Sequence, residues 1–163
     1  MKQLKRGLRH AVLAGAVVVT ALAARADVPT AGVTIVQPTA LEWSSVPQLT
    51  PDIKVARVLG NPAAAGPYAL RVRFAPGSRI LPHTHPDARL VTVLAGEYFL
   101  GIGARFEPAA LQPLPIGTVI LIPAGVAHYA MARNGEVIFQ ESGVGPSGAV
   151  YVNPADDPSH TEH

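Results

Sequence analysis

The chain has 163 residues, with 13 Lys and Arg against 11 Asp and Glu, and no cysteine. That length suits one domain with a substantial core. The lack of cysteine excludes disulfides, thiolate metal ligands and cysteine nucleophiles. The formal charge of +2 does not point to nucleic acid: five basic residues and no acidic ones fall in the first 26, so residues 27–163 carry 8 basic and 11 acidic side chains, net −3, without a basic cluster.

Residues 1–26 read as an export signal. Lys2, Lys5, Arg6 and Arg9 form a basic start, and an apolar run follows from Ala11 to Ala24. Ala24-Arg25-Ala26 supplies small residues at the spacing a signal peptidase requires, which predicts cleavage after Ala26. The run of 14 residues is short against the roughly 20 needed to span a bilayer. The expected product is a periplasmic or secreted chain of 137 residues, 27–163, with no stable membrane association after cleavage.

From residue 27 onward the pattern is strands punctuated by Pro and Gly. Val33–Val36 and Leu41–Trp43 read as edge strands. Tyr68, Leu70, Val72 and Phe74 alternate with Ala69, Arg71 and Arg73, the period of a half-buried strand. Arg89–Leu94, Tyr98–Ile102 and Thr118–Ile122 follow, closed by Ala95-Gly96 after the first and Pro123 after the last. Pro108-Ala109-Ala110-Leu111 has the composition of one helical turn, with Pro at its first position. Asn134-Gly135 is a hairpin turn between Val126–Ala132 and Glu136–Gln140, since both residues tolerate positive φ. Residues 154–163 are polar and broken by proline, which predicts a mobile tail. Many short strands with turn residues between them predict an all-β barrel or sandwich. Tyr98, Phe99, Phe106, Tyr129 and Phe139 are its expected aromatic core.

The chemistry concentrates in two segments. Gly77-Ser78-Arg79-Ile80-Leu81-Pro82-His83-Thr84-His85 places two histidines at i and i+2. In an extended strand that spacing puts both imidazoles on one face. Pro123-Ala124-Gly125-Val126-Ala127-His128 delivers a third imidazole after a turn. Neutral imidazole is the commonest protein ligand for divalent transition metals, so His83, His85 and His128 form a candidate metal triad. His160 and His163 lie in the tail and are expected to ligate nothing. No nucleophile-elbow pattern supports serine catalysis.

These segments resemble the two motifs of the cupin family. Gly77, His83, His85 and Gly96 fit the first, spanning 77–96; Gly117, Pro123, Gly125 and His128 fit the second, spanning 117–132. The resemblance implies a single cupin domain over 27–163. That domain would be a double-stranded β-helix, a jelly-roll-like barrel of two facing antiparallel sheets. Members are often dimeric, so a homodimer is among the implied partners. A divalent metal would sit inside the barrel mouth. The export signal, His83-Thr84-His85-Pro86-Asp87 and Gly143-Val144-Gly145-Pro146 also look like small single-domain bacterial cupins.

The sequence departs from the pattern at two positions. Ala132 stands where the second motif has Asn, and Arg89 stands where the first usually has the fourth ligand, a glutamate. Arginine stays protonated and has no lone pair to offer. The implied site is reduced to three neutral ligands, closer to the three-histidine cupin dioxygenases than to the manganese oxalate enzymes. It also suits tetrahedral zinc with a bound water. Zn, Fe, Mn, Ni or Cu are all compatible with it, because such donor sets select by availability. Two roles are open to Arg89: a fork for a substrate carboxylate beside the metal, or an ion pair with Asp87 or Glu141. Glu141 is a candidate outer partner of the metal site.

Three readings are open. One is a metal-dependent enzyme acting on a small organic substrate, by dioxygenase-like or Lewis-acid chemistry such as isomerisation or hydrolysis. The second is a non-catalytic module that binds or senses a metal or small ligand. The third is a purely structural cupin without metal.

Overall fold

A computed structural model describes residues 32–160. One compact unit spans Ile35–His163; of the unit before it, Met1–Thr34, only residues 32–34 are described. The expected export segment and His163 therefore lie outside the described residues.

Among the described residues ten strands build two five-stranded antiparallel sheets. They are β1 (Ile53–Leu59), β2 (Gly66–Phe74), β3 (Arg79–Thr84), β4 (Arg89–Ala95), β5 (Tyr98–Ile102), β6 (Gln112–Leu114), β7 (Val119–Ile122), β8 (His128–Met131), β9 (Val137–Gly145) and β10 (Val150–Tyr151). Sheet one runs β1-β2-β9-β4-β7 and sheet two β10-β3-β8-β5-β6. The Pro108 turn forms as a 3-10 helix, Pro108–Ala110.

Period-two alternation explains which side chains face the interior. On sheet one Val55 pairs with Val72, Val72 with Phe139 and Phe139 with Val93, so four strands contribute one inward apolar row. Phe139 packs edge-on against Phe74, with ring centroids 5.4 Å apart, and lies 4.6 Å from Tyr98 of sheet two. The contact with Tyr98 joins the two sheets. On β5 the alternation sends Tyr98 inward and Phe99 to a second cluster with Leu111 and Tyr129, partly covered by Phe106. Three of the five aromatics expected in one core thus serve a separate cluster. Among the described residues no helix is long and apolar enough to cross a membrane.

Three local readings change. The expected edge strands at 33–36 and 41–43 are absent, and a single bridge between Ser44 and Val55 takes their place. Trp43 instead receives the Arg73 guanidinium 4.7 Å above its ring. The stretch expected as a mobile tail contains two 3-10 turns, Pro154–Asp156 and Pro158–His160, the first capped by the Asn153 side chain. Finally, β1 is not among the expected strands. Its inward face ends in the exposed Arg57, and its other face holds the fully buried Ala56, which destroys the alternation.

Gly96 is the tightest of the motif glycines. It sits at φ +73°, and a Cβ there would collide with the Glu136 carbonyl oxygen. Gly117 has φ +88° but open space around it. Gly117→Ala is therefore expected to cost about 1 kcal/mol of backbone strain. Gly96→Ala should cost about 3 kcal/mol or more, because the strain is joined by a backbone collision. Urea denaturation of the two variants measures the difference.

Candidate metal centre

The three histidines of the motifs converge. His83 lies on β3, His85 just after it, and His128 opens β8, directly paired with His83 across the two strands. Each is at most 5% exposed. Their ligating atoms lie within 4.8 Å of one another, and ring centroids are 4.3–5.1 Å apart. This is slightly more open than the separation of roughly 3–4 Å that bonds of about 2.0–2.1 Å to one ion require.

All three rings are oriented in the same manner. Nδ1 of His83 donates to the Leu81 carbonyl at 2.8 Å, Nδ1 of His85 to the Gly148 carbonyl at 2.6 Å, and Nδ1 of His128 to the Val126 carbonyl at 3.0 Å. A carbonyl can only accept, so the proton is fixed on Nδ1 and the Nε2 lone pair is free to face a cation. Burial, then the neighbouring imidazoles and Arg89, pushes His83 down to about 2. Burial and Arg89 push His85 to about 3, and burial lowers His128 as well. The triad is held neutral, the protonation state that a metal ligand needs. The donor set therefore fits a divalent transition ion.

Arg89 begins β4 and faces inward with Val91 and Val93, at 6% exposure. Its Nη1 donates to Glu141 at 2.7 Å, and its Nη2 to Ser147 Oγ at 2.6 Å. Nη2 also reaches the Gly148 carbonyl at 3.4 Å, the same oxygen that orients His85. Nε lies 3.7 Å from Asp87 and makes no hydrogen bond. Asp87 is held by Tyr68 at 2.6 Å and by the Ser147 hydroxyl. The guanidinium is thus ion-paired, and this arrangement leaves no free fork for a substrate carboxylate. Glu141, expected as an outer partner of the ligands, touches none of the imidazoles among the described contacts, because backbone carbonyls occupy all three Nδ1 positions. Its partner is Arg89. Burial raises the Glu141 carboxyl above its usual range, with Arg89 opposing.

No local pattern in the sequence singles out Tyr68 or Ser147. The distance along the chain is the reason: Ser147 lies 60 residues from the Asp87 it binds. The His160 ring is bonded to the Pro154 carbonyl.

Histidines, Arg89 and Glu141 line one cavity of about 490 Å³ whose walls are mostly apolar, including Val55, Leu70 and Phe139. Tyr98 also lines it, and among the described contacts its hydroxyl has no hydrogen-bond partner.

The cupin family model matches residues 64–152. The chain belongs to the cupin family. It shares 37% identity over 75 residues with 3,6-diketocamphane 1,6-monooxygenase of Pseudomonas putida, 42% of this chain and 17% of that one. It shares 37% over 60 residues with germin-like protein subfamily 2 member 2 of Arabidopsis thaliana, 36% of this chain and 27% of that one. This cupin thus aligns with less than a third of either curated relative. Among solved structures, the polyketide cyclase RemF of Streptomyces resistomycificus superposes with a TM-score of 0.65 at 18% identity, over 77% of this chain and 89% of that one. At that identity the likeness is one of fold.

Two outcomes are expected. Arg89→Met should destabilise the fold by about 3–5 kcal/mol, because it strands a buried carboxylate. Adding Glu141→Leu should recover a large part of that loss, and a double-mutant cycle in urea measures it. The second concerns pH in the metal-free protein. Folded histidines with depressed pKa bind fewer protons than unfolded ones, so stability is fully present above about 6.5, the unfolded imidazole value. It should fall by about 1.4 kcal/mol per pH unit for each histidine as pH drops toward the folded values. Glu141, with its raised carboxyl, has the opposite sign and acts only above the carboxylate range. Thermal melts between pH 7 and 4 test the direction.

Proposed function

We propose that this cupin is an exported metal-dependent enzyme that acts on a small organic molecule. One divalent transition metal would be held by His83, His85 and His128. The observation that carries the reading is the convergence of three neutral, carbonyl-oriented imidazoles with a buried Arg89–Glu141 pair on one largely apolar cavity. A structural role alone would not call for an internal space lined by three histidines and an ion pair. The fold neighbour RemF is a polyketide cyclase, which is consistent with small-molecule chemistry in such a barrel. Export rests on the basic, apolar and Ala-x-Ala pattern of residues 1–26.

The ion would supply Lewis acidity or a redox centre at the positions the three imidazoles leave open. The protein supplies the rest. Glu141 is the proton carrier of the cavity: its side chain retains 14% exposure, and burial holds its carboxyl above the usual range. Arg89 fixes the rotamer of Glu141 and, through the Gly148 carbonyl, the ring plane of His85. Tyr98 remains a phenol, because burial and the Glu141 charge raise its pKa, and its free hydroxyl can donate to a bound oxygen. The apolar walls exclude water around that oxygen.

Elemental analysis of untagged protein purified from the export compartment is expected to find one divalent transition metal per chain. His128→Ala should lower metal affinity by at least about 10–100-fold, the scale already seen when only a ligand's outer partner is lost. Glu141→Gln should retain the metal and, with a substrate found by screening, lower turnover by about 10²–10⁴-fold. Full-length protein that binds no metal under these conditions would refute the proposal.

A further inference from the structure

Arg57 is an arginine that the proposed chemistry leaves unused. It lies on the inward-facing register of β1 after Ile53 and Val55, and it lines the cavity. Among the described residues it has no hydrogen bond, ion pair or aromatic partner, and it is exposed at the rim. Across the sheet Arg57 pairs with Leu70, and Leu70 pairs with Glu141. Two interstrand spacings of about 4.8 Å put the Arg57 backbone roughly 10 Å from that of Glu141. The span between them is apolar, with Leu70 in the same row and Val55 and Val72 in the next.

Charge points the same way. Arg89 is held by Glu141 and Ser147 and its Nε faces Asp87, so its charge is already met by two carboxylates. Among the described residues none of the five donors of Arg57 has a partner, and the wall around it is mostly apolar, with Ser44 and Gln48 its polar members. A guanidinium at the rim of an apolar cavity recognises an anion whose body fills the cavity.

We propose that Arg57 is the specificity-determining residue of this site. It would bind the carboxylate of a monoanionic substrate whose apolar body lies over Leu70 and Val72 and whose far end reaches the Glu141 and histidine end. The inference rests on the cavity being the substrate site, and it replaces Arg89 with Arg57 as the anion-binding residue.

Phenylbutyrate and its neutral counterpart phenylbutanol serve as probes, titrated calorimetrically into the full-length protein as purified and after chelation. The metal content of each sample is measured in parallel. Phenylbutyrate should bind at least tenfold more tightly than phenylbutanol in both forms. Arg57→Gln should abolish that preference without changing phenylbutanol binding, and Arg57→Lys should restore part of it. Raising the salt concentration should weaken only the carboxylate. Equal phenylbutyrate affinity in wild type and Arg57→Gln, with metal bound, would overturn the role of Arg57 while leaving the metal site standing. A carboxylate preference lost on chelation and indifferent to Arg57 would place the anion on the metal, which also overturns the proposal. Absence of binding by either probe to a metal-loaded protein overturns the substrate class. Absence of metal is the separate failure of the metal-site reading.

Discussion

The buried Arg89–Glu141 ion pair is the constraint around which the interior is organised. A guanidinium facing three imidazoles inside a barrel is costly to desolvate, and a carboxylate alone there is equally costly. Their adjacency comes from register: Val91 of β4 lies opposite Glu141 of β9, and Arg89 lies opposite Gly143. Glycine is required at 143 because a Cβ there would stand 2.5 Å from an Asp87 carboxylate oxygen and 2.7 Å from the Tyr68 hydroxyl. The bare backbone at that position lets Asp87 and Tyr68 close over the pair, and Ser147 ties Asp87 to Arg89. Gly143, which in the sequence figures only as part of a resemblance, therefore has a packing reason.

Arginine at the usual glutamate position also changes the charge of the site. Three imidazoles contribute none, and Asp87 and Glu141 together exceed Arg89 by one negative charge. That excess would partly offset the charge of a divalent ion held by the three imidazoles. The carboxylate nearest Arg89 lies on the neighbouring strand β9, where Arg89 holds it. The histidines meanwhile owe their orientation to backbone carbonyls. No single side-chain substitution outside the triad can remove those acceptors.

Much of the fold is legible in the sequence because alternation and turn chemistry agree with it. Tyr68–Phe74, Arg89–Leu94, Tyr98–Ile102 and the Asn134-Gly135 hairpin fall within or beside observed strands and turns. The histidine spacing, read with its flanking glycines and prolines, brings the right three imidazoles together. The departures have identifiable causes. Val33–Val36 is apolar yet finds no partner strand, and all four of its residues are exposed. β1 carries an arginine on its inward face, so its periodicity fails where the wall becomes a rim. Tyr68, Asp87 and Ser147 come together only through folding, and no local pattern signals their contact. Arg57 and Arg89 are both charged residues on inward-facing strand positions, where the alternation alone would place apolar side chains.

The rows of sheet one give the barrel a gradient of polarity. Ile53, Phe74 and Val137 form a closed apolar row. Two residues along each strand, Val55, Val72, Phe139 and Val93 form the next, sealed by Tyr98 from the opposite sheet. One row further the pattern becomes Arg57, Leu70, Glu141 and Val91, and beyond it lie Tyr68, Gly143 and Arg89. Each row advances by roughly 7 Å, so the change from hydrocarbon to charge occupies less than the length of one strand. The aromatic rows fill the barrel and supply its stability, while the charged rows border space. The space is therefore bordered in a fixed order by apolar wall, carboxylate and imidazoles, an order set by the register of five paired strands. An inserted residue in β9 would shift Glu141 to the opposite face and expose Phe139 with it, since side chains alternate with period two. The site and the core are thus held by the same hydrogen-bond ladder, and the chemistry cannot be altered by slippage without also losing the fold.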